Sequence, residues 1–278
     1  MVCNEWAGKL MTAFCSAGKH GMKISTTEGG GNAMTLDQAR FPGAVLFDLD
    51  DTISDHQYAR RSALAALQHA YPELAGQTIR SLESAHERHL QATHDLLLAG
   101  RLTAKESRWE RLRLFFADYG VSLSEAQAGK AETQYRQAYD AVRRPVPGVV
   151  ALIDALRARS AKIGIVSNGL LFEQEEKLRL CGLKGKTDAI VTADQQGLKK
   201  PHKAIFEHAL NVLGVKPTEA VMIGDSWQHD VLGARNAGIA AIWFNRYDEP
   251  FPESSACARV ITITRLEPIE TTLNLLAV

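Results

Sequence analysis

Acidic residues at the end of an apolar run are the first candidates for chemistry in this sequence. Residues 45–47 are apolar and lead into Asp48, Asp50 and Asp51, with Thr52 next. Asp48 and Asp50 share one parity in an extended chain, so both can face one point while Asp51 points away. Two converging carboxylates repel unless a cation lies between them or one takes up a proton. Because Mg²⁺ prefers oxygen ligands, the spacing favours a magnesium site; the alternative is a strand end with solvated acids and a helix cap from Thr52.

Further polar residues follow two later apolar runs. Ser167 and Asn168 come after one run, Asp225 follows another with Asp230 shortly behind, and Lys200 precedes a stretch with helical periodicity. The carboxyl ends of parallel strands meet at one edge of a sheet, so these residues can meet in one cleft. Carboxylates, a hydroxyl, N–H groups and a lysine together are typical of sites that handle phosphate.

Each of these segments also has an ordinary interpretation. Residues 167–169 suit a turn with a helix cap, residues 199–200 suit a solvated pair of lysines, and residues 224–226 suit a simple turn. Their order along one chain favours the phosphate-handling interpretation.

The elements that would position these residues alternate between strands and helices. The predicted strands are residues 44–48, 163–166, 189–191, 220–223, 240–243 and 260–263, and the predicted helices between them are 149–159, 173–181, 203–213 and 230–237. Such alternation implies a parallel sheet with right-handed crossovers. We therefore expect an α/β fold class.

The domain organisation follows from changes in pattern. Residues 54–144 carry leucines and aromatic residues at helical spacing and no convincing strand, which predicts an inserted helical domain. Residues 1–40 contain a glycine-rich linker composition and are expected to form a flexible N-terminal extension. The α/β core would then comprise residues 41–53 and 145–278.

Composition excludes several classes of partner. The net charge is +0 and the isoelectric point is about 7.1, so nothing indicates a nucleic-acid polymer or an anionic membrane. No apolar run approaches the roughly 18 residues that a membrane helix needs. The four cysteines are scattered without metal-ligand spacing, which favours a reducing, cytoplasmic location. Glu5 and Lys9 interrupt the apolar core that a signal peptide would need.

Four ordered stretches resemble the motifs of the haloacid dehalogenase superfamily: residues 48–52, Ser167, Lys200-Pro201 and residues 224–230. The resemblance covers roughly residues 42–265. It implies a Rossmann-like α/β sheet with an all-helical cap inserted after the first motif, an aspartyl-phosphate intermediate and Mg²⁺. Residues 50–52, 166–169 and 242–246 look closest to the capped phosphatases of the pyrimidine 5′-nucleotidase and N-acylneuraminate-9-phosphate phosphatase group.

The resemblance also implies roles for the two acids of the first motif. Asp48 would attack phosphorus, and Asp50 would protonate the leaving oxygen and then take a proton from water. Mg²⁺ would be bound by Asp48, the main-chain carbonyl of Asp50 and Asp225.

The remaining motif residues are expected to bind the phosphate or support the site. Thr52, Ser167 and the Asn168 N–H would contact phosphoryl oxygens, and Lys200 would neutralise charge on Asp48 and the transferring group. Asp230 would orient Lys200 or a metal-bound water.

The expected partner is a small phosphorylated metabolite, either a nucleoside 5′-monophosphate or a sugar phosphate. A dehalogenase needs no proton donor at the second acidic position, so Asp50 argues against that activity. Two alternatives remain: a phosphomutase of the same superfamily, and a phosphometabolite-binding module without turnover. No pattern assigns an oligomeric state.

Overall fold

The computed structural model describes residues 41–252 and 260–277, so the predicted extension over residues 1–40 lies outside the described residues. The described residues form two compact units. One is Ser54–Arg144, and the other contains the described residues on either side of it. Within the described ranges, no helix is both long and apolar enough to cross a membrane.

The first unit is built on a parallel sheet of six strands. They are β1 (Ala44–Phe47), β2 (Lys162–Ser167), β3 (Ala189–Thr192), β4 (Ala220–Gly224), β5 (Ala240–Phe244) and β6 (Ile261–Ile263). The strand order is β3-β2-β1-β4-β5-β6, and all neighbours are parallel. This sheet, with the helical unit between β1 and β2, confirms the predicted fold class. The strand boundaries differ from the predicted ones by one residue at most at either end.

The described helices flank the sheet or form the second unit. In chain order they are α1 (His56–Ala70), α2 (Ile79–Leu98), α3 (Ala104–Ala117), α4 (Glu125–Ala141), α5 (Val149–Ala158), α6 (Leu171–Leu180), α7 (Ala193–Gln196), α8 (Lys203–Leu213), α9 (Gly233–Asn236) and α10 (Ile269–Leu276). Two 3₁₀ turns, Pro72–Leu74 and Pro217–Glu219, and one π-helical turn, Trp227–Leu232, accompany them.

Strand β1 is central and buried on both faces. Val45 and Phe47 face an apolar cluster shared with α5 and α10, whereas Ala44 and Leu46 face a second cluster shared with α8. Full burial of a leucine or phenylalanine side chain contributes about 1.5–3 kcal/mol. The strand is therefore rigidly held, and so is the start of the acidic segment that follows it.

The second unit consists of α1 to α4 around an interior of its own. Leu64, Leu82, Phe115 and Phe116 are among its fully buried side chains. Helix α3 begins with a capping box between Thr103 and Glu106, and α4 begins with one between Ser124 and Gln127. Such boxes satisfy backbone N–H groups that a helix start leaves unpaired.

A buried histidine lies in this interior. The ring of His86, 1% exposed, stacks on Tyr135 with centroids 5.1 Å apart and meets the edge of Phe115. Among the described residues, neither ring nitrogen has a hydrogen-bond partner. Burial, together with the charges of Arg111 and Arg60, holds the pKa of His86 well below its usual 6.5.

Each unit also holds its own two chain ends together. In the sheet unit the N–H of Val146 donates to the carbonyl of Ile53 at 2.8 Å. In the helical unit the N–H of Asp55 donates to the carbonyl of Arg144 at 3.0 Å, and the Asp55 carboxylate binds the Arg144 guanidinium at 2.9 Å.

Candidate active site

The carboxyl ends of β1 and β4 bring three carboxylates together. Asp48 follows β1, Asp225 follows β4, and Asp230 lies in the π-helical turn Trp227–Leu232. One ligand oxygen from each lies within 4.8 Å of the other two. Because β1 and β4 are adjacent and parallel, their ends supply these groups to the same edge of the sheet. The predicted meeting of Asp48, Asp225 and Asp230 is what the structure shows.

Lys200 lies inside this group of carboxylates. Its Nζ donates to Oδ1 of Asp48 at 2.5 Å and to Oδ1 of Asp230 at 2.7 Å. Lys200 is only 2% exposed, so the solvated-pair interpretation is wrong for this residue. Of the two roles expected for Asp230, the geometry shows the contact with Lys200.

Asn168 ties the end of β2 to Lys200. Its side-chain Nδ2 donates to the Lys200 carbonyl at 3.1 Å, and its Oδ1 accepts the Lys200 N–H at 2.7 Å. This reciprocal pair fixes the backbone from which the lysine side chain extends. The sequence placed Asn168 in the site but did not reveal this side-chain contact.

The electrostatics of the cluster are those of unbalanced negative charge. Burial raises the pKa of Asp48 to about 7. The positive charge of Lys200 opposes this increase, and the negative charge of Asp230 adds to it. Burial, followed by the charges of Asp48 and Asp230, raises the pKa of Asp225 well above its usual range. Burial opposes the charge on Lys200, but its two carboxylate partners outweigh burial and raise its pKa. One ammonium thus faces three carboxylates.

This donor set fits a hard divalent cation. The three groups supply only oxygen atoms, and the shared negative charge that raises the pKa values of Asp48 and Asp225 is what a bound cation would offset. Asp48 and Asp225 belong to the predicted ligand set. The main-chain carbonyl of Asp50 stays a predicted ligand.

The turn after β4 differs from the predicted helix at 230–237. The chain forms the π-helical turn Trp227–Leu232 and only then α9. Ser226 explains the wide turn: its carbonyl accepts the N–H of Val231 at 3.2 Å, and its N–H donates to Oδ2 of Asp230 at 2.9 Å. A Cβ on Gly224 would lie 2.4 Å from Cγ of Asp230. Only glycine there lets Asp230 approach the strand end and reach Lys200.

Asp50 does not belong to the three-carboxylate group. Both of its carboxylate oxygens accept from Nζ of Lys177 at 2.7 Å. The expected convergence of the Asp48 and Asp50 side chains on one point stays a prediction: a lysine on α6 binds the Asp50 carboxylate, and the charge of Asp50 adds, after burial and Asp230, to the raised pKa of Asp48. Asp51 has a left-handed backbone, and its carboxylate accepts from the Tyr247 hydroxyl at 3.3 Å; that it points away from Asp48 stays a prediction.

Sequence reasoning missed Lys177. A lysine in a helix is ordinarily solvated, yet Lys177 is buried on the same face of α6 as Gln174 and Leu178. The available signal was its position next to Leu178 and one turn after Gln174, which places it on the inward face.

Two predicted phosphate contacts have partners of their own. The Thr52 hydroxyl is fully buried and donates to Oδ1 of Asp225 at 3.4 Å. The Ser167 hydroxyl accepts the N–H of Gly169 at 3.1 Å. Ser167 is the last residue of β2, and Thr52 lies in the turn after β1; their contact with phosphate stays a prediction.

Comparisons with known proteins agree with the motifs. Residues 42–238 match the family model of the haloacid dehalogenase-like hydrolases. Over 211 residues the chain is 31% identical to glyceraldehyde 3-phosphate phosphatase of Methanothermobacter thermautotrophicus, covering 73% of this chain and 85% of that protein. It is 35% identical to pyrimidine 5′-nucleotidase YjjG of Escherichia coli over 145 residues, which are 52% of this chain and 63% of that protein.

Solved structures show the same fold. The HAD-hydrolase YfnB from Bacillus subtilis superposes with a TM-score of 0.65 at 24% identity, covering 84% of this chain and all of that one. A HAD phosphatase from Thermococcus onnurineus superposes with a TM-score of 0.52 at 27% identity, covering 84% of this chain and 99% of the other.

Proposed function

The chain belongs to the haloacid dehalogenase-like hydrolases, and we propose that it is a Mg²⁺-dependent phosphatase that hydrolyses a small phosphomonoester through an aspartyl-phosphate intermediate. The observation that carries this proposal is the group of Asp48, Lys200, Asp225 and Asp230 at the ends of β1 and β4. It combines a carboxylate nucleophile, a cation to balance it and oxygen ligands for a metal. The relatives that share its sequence are phosphatases and nucleotidases by name.

Mg²⁺ would be held by Asp48, Asp225 and the main-chain carbonyl of Asp50. When bound, it supplies positive charge that lowers the repulsion between the nucleophile and the phosphate oxygens. Asp230 lies within the same group, but both of its oxygens bind protein donors, Lys200 and the Ser226 N–H. We therefore assign it to orienting Lys200.

In the first half-reaction Asp48 attacks phosphorus. Lys200 occupies Oδ1 of Asp48, which leaves Oδ2 as the attacking oxygen. The Oδ2–P bond forms while the bond from phosphorus to the leaving oxygen breaks, and Asp50 gives that oxygen a proton, which releases an alcohol. The Ser167 hydroxyl, the Asn168 N–H and the Thr52 hydroxyl would bind the phosphoryl oxygens, and Lys200 would balance their charge.

In the second half-reaction water takes the phosphoryl group from Asp48. Asp50, now a carboxylate, accepts a proton from the attacking water as the Oδ2–P bond breaks. Inorganic phosphate leaves, Asp48 returns to a carboxylate, and Asp50 is protonated for the next cycle. Splitting hydrolysis in this way replaces one difficult step by two easier ones.

The proposed substrates are a nucleoside 5′-monophosphate or a sugar phosphate, including triose phosphates. The relatives named for glyceraldehyde 3-phosphate cover most of the chain, whereas the match to the pyrimidine 5′-nucleotidase covers about half of it. All of these names describe small phosphorylated molecules. Phosphopeptides should therefore be poor substrates.

The test is phosphate release from a substrate panel by metal-stripped protein. The panel contains nucleoside 5′-monophosphates, glyceraldehyde 3-phosphate, hexose phosphates, phosphoserine, N-acylneuraminate 9-phosphate and one phosphopeptide. We expect no turnover without metal, recovery with Mg²⁺, and inhibition by Ca²⁺, whose larger and looser coordination shell disturbs in-line attack. Full activity in excess chelator would contradict the site assignment, and so would a phosphopeptide turned over faster than every metabolite.

Product analysis separates hydrolysis from the two alternatives. A phosphomutase would pass the phosphoryl group to a second sugar hydroxyl, so an isomeric sugar phosphate would appear in place of inorganic phosphate. A binding module without turnover would release no phosphate even from an aryl phosphate with a good leaving group.

A further inference from the structure

We propose that Lys177 is a positioning residue that holds the carboxylate of Asp50 for both proton transfers. This inference rests on the proposed function, because it assigns a partner to the acid/base group of that reaction. Neither the motifs nor the family match assigns a role to Lys177.

The contact between the two side chains is symmetrical. Nζ of Lys177 lies 2.7 Å from Oδ1 and 2.7 Å from Oδ2 of Asp50. The lysine side chain is 8% exposed, whereas the aspartate side chain is 33% exposed. The lysine thus binds the carboxylate from the buried side and leaves its outer side open to solvent.

Helix α6 is fixed against the loop that follows β2. Gln174, one turn before Lys177, is buried against Gly169, where a Cβ would lie 1.5 Å from Nε2 of Gln174. On the other side of Lys177, Leu178 packs into the apolar core beneath the sheet. These contacts set the position of the helix, and therefore the point from which Lys177 reaches Asp50.

The symmetrical contact leaves room for chemistry on Asp50. A carboxylate offers about four lone-pair directions, and an ammonium midway between the oxygens takes those that point toward each other. The outer directions remain for the leaving oxygen and for water. When Asp50 carries its proton on one oxygen, Lys177 stays bound to the other and keeps its own protons throughout. The lysine therefore fixes the plane of the carboxylate in both protonation states.

An ion pair with the same geometry elsewhere serves as a control. Nζ of Lys186 lies 2.8 Å from both carboxylate oxygens of Asp154, with side chains 34% and 50% exposed. Lys186 precedes β3, so it lies toward the opposite end of the strands from the site. Replacing Lys186 removes a paired lysine from the same unit and leaves the contacts of Asp50 unchanged.

The experiment compares Lys177→Met, Lys177→Arg and Lys186→Met, using p-nitrophenyl phosphate and β-glycerophosphate with acid-quenched measurement of phosphoenzyme. Poor positioning of a reacting group costs about 10²-fold in rate. We expect Lys177→Met to lose about that factor in kcat/KM on the alkyl phosphate and much less on the aryl phosphate, whose leaving group needs little protonation. Phosphoenzyme should accumulate because the water step slows. Lys177→Arg should recover part of the loss, and Lys186→Met should match wild type.

A double-mutant comparison tests whether Lys177 acts through Asp50. In an Asp50→Asn background, Lys177→Met should cause no further loss, since the group that it positions has lost its acid/base function. Additive losses would overturn the inference, as would equal losses on both substrates or wild-type behaviour of Lys177→Met. If the methionine variant does not fold, Lys177→Gln gives the same comparison.

The failure of this inference and that of the proposed function give different results. If wild-type protein forms no phosphoenzyme and releases no phosphate from any substrate, the proposed function fails and this inference fails with it. If wild type turns over and Lys177→Met behaves like Lys186→Met, only the role of Lys177 is overturned.

Discussion

Two buried sites, one in each unit, hold polar groups in opposite ways. At the strand ends of the sheet unit, hydrogen bonds join three ionisable side chains, Asp48, Lys200 and Asp230. In the helical unit, His86 lies among aromatic rings, and no partner for its nitrogens is found within the described residues. The first arrangement pairs ionisable groups at the cost of desolvation, whereas burial in the second favours the neutral form of His86.

The difference gives the two sites opposite responses to pH. The pKa of Asp48 is raised by burial from 3.8 to about 7, so the folded, metal-free protein holds a proton that the unfolded chain releases. Its contribution to stability is lost as pH rises from about 4 to about 7. The pKa of His86 is lowered, so the unfolded chain takes up a proton that the folded one refuses. That contribution is lost as pH falls below 6.5.

The largest expected effect comes from the strand-end cluster. Asp48→Asn should lower turnover by more than about 10⁴-fold, because an amide is a poor nucleophile and one metal ligand loses its charge. Acid-quenched mass spectrometry after mixing with Mg²⁺ and an aryl phosphate should detect no phosphoenzyme. A phosphorylated adduct in this variant would mean that another residue is the nucleophile.

Asp50→Asn should have the next largest effect and a different character. It removes acid/base assistance worth about 10²- to 10⁴-fold, or roughly 3 to 5 kcal/mol of barrier, while Asp48 can still attack. An aryl phosphate should therefore phosphorylate Asp48, and the intermediate should persist because the water step stalls. The same quenched measurement checks this, and rapid turnover would show that Asp50 is not the acid/base.

Lys200→Met tests whether pairing with Lys200 offsets the cost in folding free energy of burying the Asp48 and Asp230 carboxylates. The change leaves Asp48 and Asp230 without their shared cation, and loss of one partner from a buried pair costs about 3–5 kcal/mol. The free energy of unfolding in chelator should fall by that amount at pH 8 and by less at pH 5, where Asp48 takes up a proton. Lys199→Met, at the exposed neighbouring lysine, is the control. An equal loss at both pH values would mean that packing, and not charge, sets the cost.

His86→Phe should have the smallest effect, confined to acid pH. The variant keeps a ring against Tyr135 but removes the group that the unfolded chain protonates. At pH 5 it should be more stable than wild type by at most about 2 kcal/mol, the limit that the 1.5 pH units between 6.5 and 5 set, with little difference at pH 8. Hydrogen exchange over residues 54–144 measures this, and His69→Gln, at an exposed site in the same unit, is the control. An equal gain in stability at pH 8 would show that protonation of His86 is not its cause.

Most of the fold and half of the site geometry could be predicted from sequence. Apolar runs that stop at Asp48, Ser167 and Asp225 mark strand ends, and parallel strands bring such ends to one edge whatever the detailed packing. Lys200 could be placed there because it precedes a helix whose predicted bounds, 203–213, match α8. These predictions depend only on periodicity and chain order.

The rest depends on tertiary contacts that leave little trace in the sequence. Lys177 looks like any helical lysine until α6 is packed against the Gly169 loop. The π-helical turn arises because Ser226 bonds to both Val231 and Asp230, and a helix-like pattern does not reveal that choice. Nothing around His86 signals that its nitrogens would be buried among rings.

In each unit the two points where the chain enters and leaves are hydrogen-bonded to each other. The helical segment can therefore be removed without opening the sheet unit. A hydrogen bond already joins the chain at Ile53 to the chain at Val146, so a link of a few residues suffices to close the sheet unit without residues 54–144. The helical segment has its own closure between Asp55 and Arg144. During evolution this segment can therefore be lengthened, exchanged or recombined in one step while the sheet unit is inherited unchanged. Variation in the insert is then independent of variation in the catalytic residues.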